Sequence, residues 1–451
     1  MSNYRPISLL PALSKVFEKI VYMRLMSFLE SKTLLECHQH GFRIQKSTIT
    51  AVVSFIESVI ESIDKGEHVI GIFMDLSKAF DSVDHNLLIF KLEEIGIKNN
   101  ALNWMRSYLT NRQQFVQLNH ITKEGYKMEV KSCLRKVKCG VPQGSVLGPL
   151  LFLCYLKNLN NCLAFEPFSS LYLYADDTNL KISGKSEEDI EVISSVELAA
   201  IEEFYSYHNL AINTEKTKIL TFKTKQSKKC INPLIELHNT EIEQSQQIKF
   251  LGLILDTNLS WNNHTKSVLS KINSGLFALR RMSCLCDIET LKLIYFAHIQ
   301  SHIMYGICIY GATKNQNLVE ILKVQKLAIR TMLKLSYNES VKQHFVELKL
   351  LTVYGLYIFD CIMFVKRSQL INPSISYHNY NTRYKDDYVF PNHRLELFKT
   401  KTVYAGNKFL KSIPLSIRKE EKIHLFKKML KDYLIGLALH SIEELSSPVH
   451  H

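Results

Sequence analysis

The feature that most narrows what this chain can become is Tyr174-Ala175-Asp176-Asp177-Thr178, two adjacent carboxylates inside an apolar stretch. Leu171-Tyr172-Leu173-Tyr174 precedes them and Asn179-Leu180-Lys181-Ile182 follows, so the segment is predicted as strand, tight turn and second strand. Paired carboxylates between β-forming flanks repel one another and gain nothing from packing. A divalent cation that neutralises both is the simplest physical reason to place them there. Asp-Asp is also an ordinary turn pair, and an isolated instance would decide nothing.

A third acid ends that isolation. Val69-Ile70-Gly71-Ile72-Phe73-Met74 is a short apolar run of the kind that forms a strand buried on both faces, and Asp75 terminates it. If this strand lies beside the acid hairpin, the carboxylates converge at one edge of a sheet and can hold two Mg²⁺ ions about 4 Å apart. One ion would lower the pKa of an attacking 3′-hydroxyl and the other would stabilise departing pyrophosphate. Asp75 and Asp176 are the expected ligands. Asp177 joins them only through the turn, because consecutive strand residues face opposite sides of a sheet.

Six blocks occur in one order: Asn3 to Leu10 (NYRPISLL); His40-Gly41-Phe42-Arg43 with Ser47-Thr48; Phe73-Met74-Asp75-Leu76-Ser77-Lys78-Ala79-Phe80-Asp81; Gly140-Val141-Pro142-Gln143-Gly144-Ser145; Tyr174-Ala175-Asp176-Asp177; and Asn213-Thr214-Glu215-Lys216-Thr217. Together they resemble the reverse transcriptase of non-LTR retrotransposons, and most of all the Jockey-like elements of animals. Phe250-Leu251-Gly252-Leu253, Asp256, Leu259-Ser260-Trp261 and His264 resemble the family's next block, and His378 to Arg383 and Pro391 to Arg418 resemble its tail. Leu156-Lys157-Asn158-Leu159 and Phe409 depart from the usual pattern, away from the carboxylates.

The resemblance implies an α+β right-hand polymerase: fingers and an antiparallel-sheet palm in residues 1–256, a thumb-like helical region in 257–335, and a basic helical region in 336–451. It implies extension of a DNA primer on an RNA template with dNTPs, using two Mg²⁺ ions for which Mn²⁺ can substitute. Asp75, Asp176 and Asp177 would be the metal ligands, and Lys216 would donate charge or a proton toward pyrophosphate. Phe80 would lie beneath the incoming sugar and exclude a 2′-hydroxyl; the plainer reading is a core Phe in a first helical turn, and both can hold. Gln143 and Gly144 would border the nucleotide. Arg43, whose planar guanidinium matches phosphate oxygens bidentately, would meet the triphosphate, although a lone arginine is more often a surface residue. Asp81, Ser77 and Lys78 match the family without a derivable role, beyond Asp81 bracing the next helix. These polymerases normally follow an endonuclease in one polyprotein. A first block at Asn3 implies a truncated copy, or an endonuclease supplied in trans. An RNA-dependent RNA polymerase would want a polar residue in place of Phe80, and a silent or domesticated remnant would only bind RNA.

Composition fits this picture. The formal net charge is +13, yet residues 1–256 hold 29 Lys+Arg against 29 Asp+Glu while residues 257–451 hold 27 against 14. All the excess is C-terminal, where it would grip a polyanion; a solvated basic face is the plainer alternative. Ten scattered cysteines and no signal peptide point to a reducing, intracellular setting, nucleus or cytoplasm. Ile294 to Ala312 is apolar, but His298, Gln300, Ser301 and His302 make it a buried helix, not a membrane span. Helices are expected over Leu13–Leu29, Thr48–Ile63, Asp84–Ile95, Ala101–Leu109, Val146–Leu156 and Glu187–Tyr207. Lys223 to Lys229 is expected to be a charged loop. Leu269, Ile272, Leu276 and Leu279 recur at helical spacing with Lys266, Lys271, Arg280 and Arg281 on other faces, as a thumb that packs on one side and meets phosphates on the other requires.

Overall fold

The computed structural model describes residues 7–122, 125–227, 231–313, 315–370 and 390–445. Residues 3–6 of the first block, Lys228 and Lys229, and residues 378–383 of the tail lie outside the described residues. The chain divides into two units, each gathered from separate stretches. The first comprises Met1–Ala51, Ile70–Ile219 and Ile231–Gln244; the second comprises Val52–Val69, Leu220–Cys230 and Ser245–His451. These units cut the chain differently from the breaks expected at 256 and 335, which were placed by motif and charge. Compactness follows buried apolar surface instead, and Phe250, Leu253 and Leu255 bury on the C-terminal side of the division.

The first unit holds most of a five-stranded sheet built from β1 (His68–Met74), β2 (Ser169–Tyr174), β3 (Asp177–Gly184), β4 (Lys218–Phe222) and β5 (Glu243–Gln244), in the order β5-β4-β1-β3-β2. From Val69 to Met74 every residue of β1 is buried, as a central strand with both faces covered requires. Helices α1 (Ala12–Ser31) and α2 (Thr48–Lys65) precede the sheet in sequence. The short α3 (Ala79–Ser82), α4 (His85–Glu94) and α5 (Asn99–Leu109) follow β1, and α6 (Gly148–Tyr155) and α7 (Glu187–Tyr207) bracket the acid hairpin. Seven of the eight residues of α6 are buried, Pro149 being the exception, and its Leu150, Leu151 and Phe152 join Ile70, Ile72, Leu171, Leu180, Ile190 and Ile201 in one core. Each such side chain contributes about 1.5–3 kcal/mol on burial. The start of α7 is fixed by a reciprocal cap: Asp189 N–H donates to Ser186 Oγ at 3.1 Å and Ser186 N–H to Asp189 Oδ2 at 3.1 Å, worth about 1 kcal/mol.

In the second unit Gln247–Phe250 and Leu253–Asp256 form a hairpin whose turn residues Leu251 and Gly252 both have positive φ. Asp256 then accepts hydrogen bonds from Asn258 N (3.1 Å), Ser260 N (2.9 Å), Ser260 Oγ (2.9 Å) and Trp261 N (3.1 Å), which gives the acid and the serine hydroxyl a purpose at that spacing. The helix that follows, α8 (Asn262–Met282), buries Ile272, Leu276 and Leu279, half-buries Leu269, and exposes Lys266, Lys271, Arg280 and Arg281. The apolar run after residue 288 is buried and helical but broken. A wider turn over Phe296–Gln300 and a left-handed Gly306 (φ +75) divide it, with Tyr295, Ile299, Ile303 and Tyr310 inside. No helix among the described residues is long and apolar enough to cross a membrane.

Candidate active site

The acid pair sits where the hairpin pattern requires. Strands β2 and β3 pair antiparallel with Tyr174 opposite Asp177, which leaves Ala175 and Asp176 as a two-residue turn. Ala175 has φ +57, a left-handed conformation that costs a residue bearing a Cβ about 1 kcal/mol or more. Asp176 therefore lies in the turn itself and Asp177 opens β3, both half-buried. Asp75 follows β1, the neighbour of β3, so the three expected acids are carried by adjacent strands of one sheet.

Lys216 is brought to Asp75 by a local device. Asn213 N–H donates to Asp75 O at 2.8 Å, and Thr217 Oγ1 returns to Asn213 O at 2.8 Å. The turn so formed presents Lys216 Nζ at 3.0 Å from Asp75 Oδ2, with the two side chains 64% and 34% exposed. An ammonium thus takes up the charge of Asp75 that a metal ion would neutralise. Among the described residues no three Asp, Glu, His or Cys side chains stand close enough together to hold a metal. Carboxylate oxygens are the donor class that hard cations such as Mg²⁺ and Mn²⁺ prefer, so the chemistry of Asp75, Asp176 and Asp177 suits such an ion.

Phe80, on α3, is half-buried and stacks on Phe152 with ring centroids 4.5 Å apart, so it is a core contact whatever else it does. Gln143 Nε2 donates to Asp81 Oδ1 at 2.9 Å, and Val141 N–H donates to Phe80 O at 2.8 Å. Asp81, which had no derivable role in the sequence, thus orients the glutamine instead of bracing a helix. Gly144 has φ +97, and a Cβ there would lie 3.2 Å from Ser8 O, so both backbone angle and space ask for glycine. Ser8 N–H donates to Gln143 O at 2.7 Å, and the buried Glu18 accepts from Val146 N at 2.7 Å. The loop is therefore held from both sides.

Arg43 is occupied elsewhere. Its Nε and Nη2 form a two-pronged pair with Glu30 at 3.0 and 2.8 Å, its Nη1 donates to Glu36 O at 2.6 Å, and its side chain is 11% exposed. A triphosphate would have to compete with that pair. His40, three residues before it, is buried and donates or accepts at Thr50 Oγ1 over 2.9 Å; burial first, then Lys46, His38 and Arg43, push its pKa down to about 3. Sequence reading passed over Gln39 and Glu18, and gave Asp81 no chemical role. Their signals are partners 62 to 136 residues away, which no local pattern reveals.

The sequence profile described as reverse transcriptase (RNA-dependent DNA polymerase) matches residues 1–255. The chain belongs to this family. Within it, the chain is 30% identical over 337 residues to the probable RNA-directed DNA polymerase from transposon BS of Drosophila melanogaster, covering 73% of this chain and 36% of that protein. Against the RNA-directed DNA polymerase from mobile element jockey of the same fly it is 28% identical over 343 residues, covering 73% and 35%. The chain thus spans about a third of the length of these curated relatives. A solved telomerase of Candida tropicalis, in complex with a TWJ fragment of telomeric RNA, aligns over 96% of this chain and 56% of its own at 12% identity, with a TM-score of 0.40. Membership of the reverse transcriptase family accords with the expected α+β polymerase fold and the Jockey-like resemblance.

Proposed function

We propose that the protein is the RNA-directed DNA polymerase of a non-LTR retrotransposon, extending a DNA primer on an RNA template with dNTPs inside the cell. The observation that carries this is the placement of Asp75 and the Asp176-Asp177 turn on neighbouring strands, with Lys216 reaching Asp75. The names of its relatives support it. Asp75, Asp176 and Asp177 would hold Mg²⁺, for which Mn²⁺ can substitute. When bound, two such ions lower the pKa of the attacking hydroxyl and neutralise the phosphates. Lys216, released from Asp75, gives a proton or charge to the leaving pyrophosphate. Gln143, oriented by Asp81, and Gly144 border the nucleotide. The Phe80 ring lies under its sugar, and Arg43 reaches a triphosphate only by leaving Glu30. Primer extension by the purified chain on an RNA template tests the reading, with dNTPs and then rNTPs. Asp176→Asn should lower the rate on the order of a thousandfold while leaving the melting temperature and RNA affinity nearly unchanged. Full activity in that variant, or a preference for rNTPs in the wild type, would overturn the assignment.

A further inference from the structure

The segment 38–41 has no place in the chemistry just described, yet it is built against the acid turn. Leu173 N–H donates to His38 O at 3.0 Å and His40 N–H donates to Leu173 O at 2.8 Å, a parallel bridge laid along β2, the edge strand of the sheet. Between these two bonds lies Gln39, 3% exposed. Its Oε1 accepts from Ala175 N at 3.0 Å and from Gly41 N at 2.7 Å, and its Nε2 faces Ala175 O at 3.4 Å. Two N–H donors converge on one oxygen, which fixes the orientation of the amide. A single side chain thereby satisfies both peptide groups of the residue that precedes Asp176.

Ala175 is also the residue with the left-handed backbone, and such a conformation persists only where its surroundings over-determine it. Gly41 supplies the room: a Cβ at that position would lie 2.3 Å from Ala175 N. The far end of the segment is fastened by the pair between Arg43 and Glu30. The segment is therefore a clamp whose jaw closes on one residue of the turn.

We propose that Gln39 is the positioning residue of the acid turn, its amide holding both peptide groups of Ala175 so that Asp176 and Asp177 keep the arrangement in which they bind a divalent ion. The metal half of this statement rests on the function proposed above; the turn half does not. Groups that orient metal ligands typically change metal affinity ten- to a hundredfold when removed, and a buried N–H left without an acceptor opens readily to solvent.

The test uses the full chain as wild type, Gln39→Met, Gln39→Glu and Asp176→Asn. Hydrogen–deuterium exchange is followed in the peptide spanning residues 171–178, Mn²⁺ binding is followed by electron paramagnetic resonance, and melting is recorded for each. Gln39→Met fills the space without an acceptor. It should speed exchange in that peptide alone, at least tenfold, and weaken Mn²⁺ binding roughly ten- to a hundredfold. Gln39→Glu keeps an acceptor for Ala175 N and Gly41 N but loses the donor to Ala175 O, so exchange there should rise, though less than in Gln39→Met. A folded Gln39→Met protein with wild-type exchange at 171–178 overturns the proposal. So does one whose exchange rises everywhere while Mn²⁺ affinity is unchanged, which is what a merely structural glutamine would give. If Gln39→Met does not fold, Gln39→Glu decides, and wild-type exchange at 171–178 in that folded variant overturns the proposal. Wild-type Mn²⁺ affinity in Asp176→Asn would instead refute the metal reading, with the exchange data still deciding what Gln39 does.

Discussion

Replacing Lys216 by methionine separates a passive ion pair from a working cation. Two unit charges 3.0 Å apart attract by about 1.4 kcal/mol in water, and salt and side-chain entropy reduce this for an exposed pair to below about 1 kcal/mol. The melting temperature should therefore fall by no more than about 2–4 °C. A group that hands a proton to the leaving pyrophosphate contributes about 10²–10⁴ in rate, or roughly 2.7–5.5 kcal/mol. The catalytic effect should exceed the structural one several-fold in free energy, and the two are measured independently. Rapid-quench incorporation of a single dNTP, at saturating nucleotide, reports the rate; calorimetry reports the stability. Lys216→Arg sharpens the comparison, since a guanidinium keeps the pair with Asp75 but does not give up its proton near neutral pH. Arginine should restore the melting temperature without restoring the rate. Because the ammonium competes with a metal for Asp75, Mn²⁺ should bind Lys216→Met at least as tightly as wild type. A rate within threefold of wild type in the folded methionine variant would refute the role assigned to Lys216.

Phe80→Val should raise rNTP use relative to dNTP by about ten- to two-hundredfold if the ring excludes a 2′-hydroxyl. Lost stacking on Phe152 alone would lower both activities together with the melting temperature, leaving the ratio unchanged. Changing Lys266, Lys271, Arg280 and Arg281 of α8 together to glutamine should flatten the log–log salt dependence of RNA binding by up to roughly three, at about 0.7 per phosphate contact on single strands. An unchanged slope would return them to a solvated basic face. Substitution is the right perturbation here, because Phe345, Tyr354 and Phe426 are fully buried and a deletion from Ser336 would remove core. Burial holds the folded-state pKa of His40 at about 3 and of His264 at about 4, below the ordinary 6.5. Their depressed values mean stability that is present above pH 6.5 and lost as pH falls toward 4, so the urea midpoint should drop across that window. His264→Gln, which cannot charge, should flatten the drop, and an identical pH profile would count against the assignment.

What the sequence disclosed was whatever a short window can encode. The run Val69–Met74 reads as a buried strand because six successive positions all bury, and the acid hairpin reads from its apolar flanks. The helix Glu187–Tyr207 was legible to the residue, since Ser186 and Asp189 cap it within one turn. Long-range partnership was not legible. Nothing in the neighbourhood of Arg43 announces Glu30 as its partner across the loop. Asp81 looked idle because its use is Gln143, 62 residues on. Lys216 was read as a group waiting for pyrophosphate; that it pairs with Asp75, 141 residues upstream, emerges only when the sheet is assembled. Charge and compactness report different things: the excess of lysine and arginine begins after 256, whereas the two compact units are gathered from interleaved stretches.

The interleaving of the two units also has a consequence during synthesis. Val52–Val69 leaves the ribosome early, but the stretches with which it forms a unit resume only at Leu220 and Ser245. At about 5–20 residues per second, the apolar face of α2, with Val52, Phe55, Ile56 and Val59, waits on the order of ten to thirty-five seconds for Ser245 onward to emerge. The α2 residues therefore wait for the rest of their unit while residues 70–244 are made. A cut at any single point between residues 52 and 244 leaves at least one unit without part of its chain, so the protein cannot be reduced to two independent halves by severing one linker.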